Sequence, residues 1–192
     1  MRCGGLILAA GEGIRFGSEP KLLAELDGRP LLEHAIAAQC AVPALERIIA
    51  VLGAFADPIL ARVDFRRAEP VVCAAWSEGQ AASLRFGLEA LAAFDKVIVT
   101  LGDEPLITPA TIERFVHEPG GTRASYNGRP GHPVTLGAEQ VAALASLTGD
   151  RGAGGVLSGG PVIELGGLGD LGRDVDTPED LEAIRNEARA VI

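Results

Sequence analysis

The chain has 192 residues, 47% of them apolar but only 4% aromatic, and a formal net charge of -9. One hydrophobic core organises a chain of that length, and a core of Ala, Val, Leu and Ile with few rings favours helices packed on a parallel sheet. The acidic balance excludes broad nucleic-acid binding, which needs clustered Lys and Arg, while three widely spaced cysteines, Cys3, Cys40 and Cys73, argue for free thiols in a reducing compartment and against a disulfide framework.

In chain order, the first predicted element is a strand over residues 6–10. Its apolar run is cut by Gly11-Glu12-Gly13 far short of membrane-spanning length, so no membrane association is expected and the reading is a cytoplasmic protein. Further strands are predicted at 47–52, 71–74 and 96–101, and helices at 30–40, 80–93, 109–116 and 178–190. Short apolar runs alternating with amphipathic stretches are the pattern of parallel strands joined by crossover helices, an α/β layer protein.

Two helix starts carry explicit punctuation. Thr108-Pro109 and Thr177-Pro178 each set a capping hydroxyl before a proline at the first helical position. Asp180 stands three residues after Thr177, where a capping box usually has Glu or Gln. Residues 119–137 are rich in Gly, Pro and Arg, which predicts loops and a short hairpin beside the main sheet, a kind of insertion that often shapes a substrate pocket. No repeat, low-complexity tract or long linker is seen, so one domain over 1–192 is expected.

Chemistry is concentrated at two places. Leu8-Ala9-Ala10-Gly11-Glu12-Gly13-Ile14-Arg15-Phe16-Gly17 runs from a buried strand into a glycine-rich loop. Glycines there let backbone N–H groups approach phosphate oxygens, because no Cβ intervenes. The spacing is neither that of the Walker loop nor that of the dinucleotide fingerprint, whose third glycine comes one residue before Gly17. Arg15 and Lys21 follow within reach and supply positive charge for a triphosphate. Taken alone, the same glycines also read as a tight strand-to-helix connection.

The second place is acidic. The strand at 96–101 ends in Gly102-Asp103-Glu104-Pro105, which sets Asp103 outside the carboxyl end of a strand, where open α/β sheets bind ligands. Asp174 and Asp176 would point alike if their segment is extended, just before a capped helix. Magnesium takes one or two carboxylates plus phosphate oxygens and water, which this sparse supply matches. Taken singly, Asp103 also reads as a turn starter and Asp176 as a helix-terminus residue.

Together these residues resemble the MobA-like nucleotidyltransferase superfamily, and within it the molybdenum cofactor cytidylyltransferases. The resemblance spans nearly the whole chain: Leu8-Ala9-Ala10-Gly11 through Lys21, Gly28-Arg29-Pro30-Leu31-Leu32, Trp76 with Gly79 and Ala82-Ser83-Leu84, Gly102-Asp103 and Pro105, Gly131-His132-Pro133, Gly149-Asp150-Arg151-Gly152-Ala153, and Asp174 with Asp176-Thr177-Pro178-Glu179-Asp180. It implies a three-layer α/β/α Rossmann-like fold with a mostly parallel sheet. It implies that Leu8, Ala9, Ala10, Gly11, Gly13, Arg15 and Lys21 hold a nucleoside triphosphate and that Gly79 and Ser83 line the base site. Arg15, Lys21 and Asp103 would be catalytic. Asp103, with Asp174 or Asp176, would position Mg2+.

Cytidylyl enzymes of this type read Leu-Ala-Ala-Gly where guanylyl relatives tend toward Leu-Ala-Gly-Gly, so Ala10 speaks for CTP. His132 and Asp150 lie in segments like those that face the acceptor in the molybdopterin branch. The implied reaction is transfer of CMP from CTP to the terminal phosphate of molybdopterin cofactor with release of pyrophosphate. The implied partners are CTP, the pterin, and a molybdenum hydroxylase or its maturation factor in transient contact. Glu104 departs from the uncharged residue that many relatives place there, and it either adds negative charge beside Asp103 or faces solvent.

For His132 a contact to the acceptor and a structural role in its Gly-Pro turn both stand open, as do pocket wall and packing for Trp76. His34 and His117 lie on predicted helices without metal-type companions and read as packing or surface residues. The rival functions are nucleotidyl transfer to another phosphorylated small acceptor, a cofactor-binding carrier with little catalysis, and a dinucleotide-dependent dehydrogenase, which the late third glycine disfavours.

Overall fold

The computed structural model describes residues 1–17, 19–149, 152–165 and 172–190. Seven of its strands make one sheet. β1 (Cys3–Ala9) lies inside it, parallel to β4 (Leu45–Leu52) on one side and to β6 (Lys96–Leu101) on the other, with β5 (Glu69–Val72) parallel beyond β4. These strands are parallel because each connection carries a crossover helix: α1 (Leu31–Cys40), α2 (Ala56–Arg62) and α3 (Gln80–Ala90) in turn.

Beyond β6 the direction changes. α4 (Pro109–Val116) leads to β7 (Arg123–Tyr126), which forms a hairpin with β8 (Arg129–Gly137); β8 pairs antiparallel with β6, and β9 (Val162–Glu164) closes the edge parallel to β7. The expectation of a hairpin beside the sheet at 119–137 is thereby corrected, since its arms continue the main sheet. Asn127 and Gly128, with φ of 52 and 78, make the two-residue turn between Tyr126 and Arg129. Left-handed residues at both turn positions match the twist of the paired strands.

Strand alternation decides the layers. Ile7 and Ala9 of β1, with Ile48 and Ala50 of β4, pack under Leu32 and Ile36 of α1 and Phe115 of α4. Their neighbours Leu6, Ile49 and Val51 face the other way, onto Leu84 and Leu88 of α3 and Leu144 of α5 (Ala138–Leu144). The result is a mostly parallel seven-stranded sheet between two helical layers, the Rossmann-like fold expected. Gln39 of α1 reaches across β1 to donate from Nε2 to the Leu6 carbonyl at 3.2 Å and to Thr100 Oγ1 at 2.9 Å. Gly5 permits that reach: a Cβ there would lie 2.1 Å from Gln39 Oε1.

A third apolar cluster bears on the site. β2 (Glu25–Leu26) and β3 (Arg29–Pro30) form a small hairpin around Asp27 and Gly28, at φ of 50 and 75. Leu26 of that hairpin and Leu31 pack against Val175 and against Leu181 and Ile184 of α6 (Pro178–Ala190). This contact returns residues 172–177 to the carboxyl ends of β1 and β6. The caps form as their residues predict: Thr108 Oγ1 accepts from Thr111 N at 3.2 Å, and Asp180 N donates to Thr177 Oγ1 at 3.2 Å while Asp180 Oδ2 accepts from Thr177 N at 2.8 Å.

Other predicted boundaries moved. β5 ends at Val72, so Cys73 and Ala74 lie outside it, and α3 stops at Ala90 rather than 93. α2, α5, β2, β3 and β9 are additional elements. Among the described residues no helix is long and apolar enough to cross a membrane.

Candidate active site

The glycine-rich loop leaves β1 and immediately tightens. Gly13 at φ 63 begins a 3-10 turn over Ile14–Phe16, Gly17 at φ 111 ends it, and a second turn over Lys21–Leu23 sets Lys21 beside the first. Both glycines hold conformations that a side chain disfavours. A Cβ on Gly13 would also lie 3.1 Å from Lys21 Cβ, so this glycine lets the lysine stem pass.

Lys21 joins residues from three distant parts of the chain. Its Nζ donates to Asp103 Oδ2 at 2.6 Å and to Asp176 Oδ1 at 3.1 Å, and Arg15 donates to the other oxygen of Asp176, Oδ2, at 2.7 Å. The backbone fixes this meeting, because Val175 N donates to the Asp103 carbonyl at 3.0 Å and Asp180 Oδ2 accepts from Asp176 N at 3.1 Å. The lysine side chain is only 11% exposed. Burial alone would disfavour its ammonium, but the charges and hydrogen bonds of Asp103 and then Asp176 outweigh that and raise its pKa. Arg15 sits at the open mouth.

Two cavities flank this cluster. One, of about 490 Å³, is lined by the loop from Glu12 to Arg15 with Lys21 and Asp176; the other, of about 460 Å³, by Ala10, Gly11, Trp76, Gly79, Ser83 and Asp103 among others. Leu8 also lines the second, whereas Ala9 points into the core on the opposite face. Trp76 has both of its open roles. It walls the cavity and packs on Gly53, where a Cβ would lie 2.5 Å from the Trp76 Cβ.

Asp174 and Asp176 diverge. Asp176 joins the lysine, while the Asp174 carboxyl meets Glu104. Asp174 is exposed as a residue, yet its carboxyl loses water on the protein side, and this desolvation, then the Glu104 and Asp103 charges, pushes its pKa up to about 7. Glu104 itself is buried, which corrects the solvent-facing alternative. It accepts from His132 Nδ1 at 3.1 Å and from Leu101 N at 3.4 Å. Burial opposes a charge on His132, but Glu104, helped by Asp174 and Asp103, raises its pKa overall. Tyr126 donates its hydroxyl to the His132 carbonyl at 2.6 Å.

Asp150 lies outside the described residues. His34 takes a packing role, with Nε2 2.9 Å from the Leu26 carbonyl, and exposed His117 lies 3.6 Å from Glu113. Gln80 and Arg123, which no sequence motif singled out, line a further cavity of about 310 Å³ with His132.

Among the described residues no group of three or more His, Cys, Asp or Glu side chains is arranged to cage a metal. Asp103 and Asp176 nonetheless converge on a single cationic point, the Lys21 ammonium, and offer hard oxygen donors. Two carboxylates suit a cation of the magnesium type, which completes its shell with phosphate oxygens and water.

The model of the MobA-like NTP transferase domain matches residues 5–164. Nicotine blue oxidoreductase of Paenarthrobacter nicotinovorans is 35% identical over 191 residues, covering 92% of this chain and 93% of that protein. The bifunctional protein GlmU of Rhodospirillum rubrum is 42% identical over 113 residues, which is 58% of this chain but only 24% of GlmU, so the likeness reaches about a quarter of that relative. Among solved structures, Rv0371c of Mycobacterium tuberculosis H37Rv superposes with a TM-score of 0.84 at 28% identity, covering 96% of this chain and 97% of that one. The same mycobacterial protein has been solved in complex with manganese, with a TM-score of 0.77 over 97% of this chain and 99% of that one.

Proposed function

The chain belongs to the family of MobA-like NTP transferase domains, a family of nucleotidyltransferases, and from that membership we propose that it is a cytidylyltransferase, transferring CMP from CTP to the terminal phosphate of molybdopterin cofactor with release of pyrophosphate. The observation that carries the reading is the meeting of Lys21, Asp103 and Asp176 beside the glycine-rich loop. In our reading residues 1–192 form one such domain, working in the cytoplasm and passing its product in transient contact to a molybdenum hydroxylase or its maturation factor. The manganese complex of the mycobacterial neighbour supports use of a divalent metal, and Ala10 supports CTP.

The acceptor phosphate attacks the α-phosphorus in line. The new P–O bond forms as the bond to pyrophosphate breaks, so no protein nucleophile is needed and the protein's work is positioning and charge neutralisation. Asp103 and Asp176 would hold Mg2+, which when bound screens the triphosphate and polarises the α-phosphate. Lys21 and Arg15, which stand beside those carboxylates, would supply the positive charge that the phosphates need. Backbone N–H groups at Gly11 and Gly13 would bind the phosphate oxygens, Gly79 and Ser83 would border the cytosine, and His132 would face the acceptor, for which the sequence also offers Asp150. Asp174, tied to Glu104, stands as a supporting acid rather than a metal ligand in this scheme.

The test is pyrophosphate release from CTP, GTP, ATP and UTP with magnesium, with and without molybdenum-loaded pterin cofactor. Release confined to CTP with the pterin is expected, and equal release from GTP would overturn the nucleotide choice. The oxidoreductase name of the Paenarthrobacter relative favours one second reading, the dinucleotide-dependent oxidoreduction already set among the rivals, with the dinucleotide held in the same loop. Saturable binding of NADH or NADPH, with no nucleotidyl transfer, would select it.

A further inference from the structure

Two buried side-chain atoms among the described residues have no hydrogen-bond partner: Gln39 Oε1, sealed in the core beside Gly5, and Arg123 Nε. The second belongs to a half-buried residue whose side chain borders empty space. Arg123 leaves β7 on the face opposite Ala124 and Tyr126 and lines the cavity of about 310 Å³ between α3 and β8. Guanidinium donors closed off from water are ordinarily satisfied, and even exposed Arg67 spends its donors on the backbone, giving to the carbonyls of Cys40, Leu45 and Val42 at 3.0, 2.7 and 2.8 Å. Arg123 Nε is closed to solvent and unmet by protein, and the arginine that carries it lines a cavity in which an acceptor can pair with its guanidinium.

The rest of the cavity fits one class of occupant. Its floor is apolar, made by Leu84, Val99 and Val134, and its polar lining is limited to a few groups including Arg123, Gln80 and His132. Glu104 holds His132 through Nδ1, so Nε2 is the ring nitrogen left for a ligand. The cavity shares Leu8 and Gln80 with the one that contains Asp103, so a molecule filling it extends toward the metal-binding carboxylates. An apolar surface edged by a few polar groups is the chemistry that holds a heterocycle bearing oxo or ring-nitrogen acceptors.

We propose that Arg123, with Gln80, holds the heterocyclic end of the second substrate, and that Arg123 is a specificity-determining residue. The proposal rests on the nucleotidyl-transfer reading for the direction in which the substrate points, with its phosphate toward Asp103, but the cavity selects an oxo-heterocycle independently of which chemistry follows.

The experiment compares the wild type with Arg123→Met, which keeps the stem and removes the donors, and with Arg123→Lys, which keeps the charge but not the fork. Binding of oxidised pterin is followed by its own fluorescence, CTP binding by calorimetry, and pterin-dependent pyrophosphate release by steady-state kinetics. Wild type binds pterin saturably; Arg123→Met binds it at least about tenfold more weakly, and Arg123→Lys falls between them, with CTP binding unchanged. If pterin supports pyrophosphate release with the same KM in both variants as in the wild type, the role of Arg123 is overturned while the cytidylyl reading stands. If pterin binds and weakens as stated but supports no transfer from any nucleotide, the cytidylyl reading fails and the cavity assignment stands. Absence of pterin binding by the wild type overturns the assignment, and equal loss of CTP and pterin binding assigns Arg123 to general folding and overturns it as well.

Discussion

Replacing Lys21 by Met tests the centre of the site most directly. The ammonium lies 2.6 Å from Asp103 and 3.1 Å from Asp176, and the substitution keeps the stem while leaving both acids without it. Asp176 retains Arg15 at 2.7 Å, so the stranded charge is that of Asp103, whose side chain is 20% exposed. Removing one partner of a fully buried pair costs about 3–5 kcal/mol; with one acid stranded and water in partial reach, about 2 kcal/mol is expected. For a chain of this length that lowers the unfolding midpoint by roughly 4–8 °C. Magnesium should restore part of that loss, because a divalent cation between the two carboxylates does electrostatically what the lysine did. Turnover should still fall about a hundredfold or more, since no metal replaces a cation aimed at the developing phosphate charge. Midpoints are read by circular dichroism with and without magnesium, turnover by pyrophosphate release. A variant as stable and as active as the wild type would refute both the electrostatic role and the catalytic one.

Asp103→Ala should cost far more in turnover than in stability, and a folded variant with full activity would remove Asp103 from the mechanism. Asp180→Ala should lower stability by about 1 kcal/mol through loss of the α6 cap, and it should also weaken manganese binding, because Asp180 Oδ2 holds the backbone N–H of Asp176; unchanged affinity in a manganese titration would separate the cap from the site. Gly87→Ala should destabilise by about 1–3 kcal/mol through overpacking, since its Cβ would lie 2.4 Å from Leu6 Cδ1 and 2.8 Å from Val51 Cγ2 between α3 and the sheet, and a neutral effect in urea denaturation would show that α3 shifts freely. Asp174 carries a folded pKa of about 7, above its ordinary 3.8, so the folded state holds the extra proton and stability declines as pH rises from about 4 to 7. His132, also raised, adds stability that is present below its ordinary pKa and is lost as pH climbs through the elevated one. Midpoints of Asp174→Asn should therefore be flatter than wild type across the acidic part of that range, and parallel curves would reject the assignment.

The sequence carried what depends on near neighbours. The bounds of β6, α4 and α6 were legible because apolar runs, Thr-Pro starts and a capping partner act within a few residues. The tight glycine-rich loop with its two cations was legible for the same reason, as glycines and cations at fixed spacing report local backbone freedom and local charge. Short elements were not: β2 and β3 hold two residues each, and only the Asp27-Gly28 pair, a turn signal, marked them. The hairpin at 123–137 was read as an appendage because pairing with β6 is a property of the sheet edge, which no local pattern encodes.

Only the tertiary structure decided which acids work together. Asp174 and Asp176 are chemically alike and two residues apart, and the sequence left the choice between them open. Packing of α6 against the β2–β3 hairpin and the backbone bond from Val175 to Asp103 fix the segment so that Asp176 meets Lys21 and Asp174 meets Glu104. Burial of Glu104 and the unpaired Nε of Arg123 were equally invisible in advance. Each depends on what lies across space from a side chain, and that is settled by how strands and helices pack, after the local sequence has set what they are.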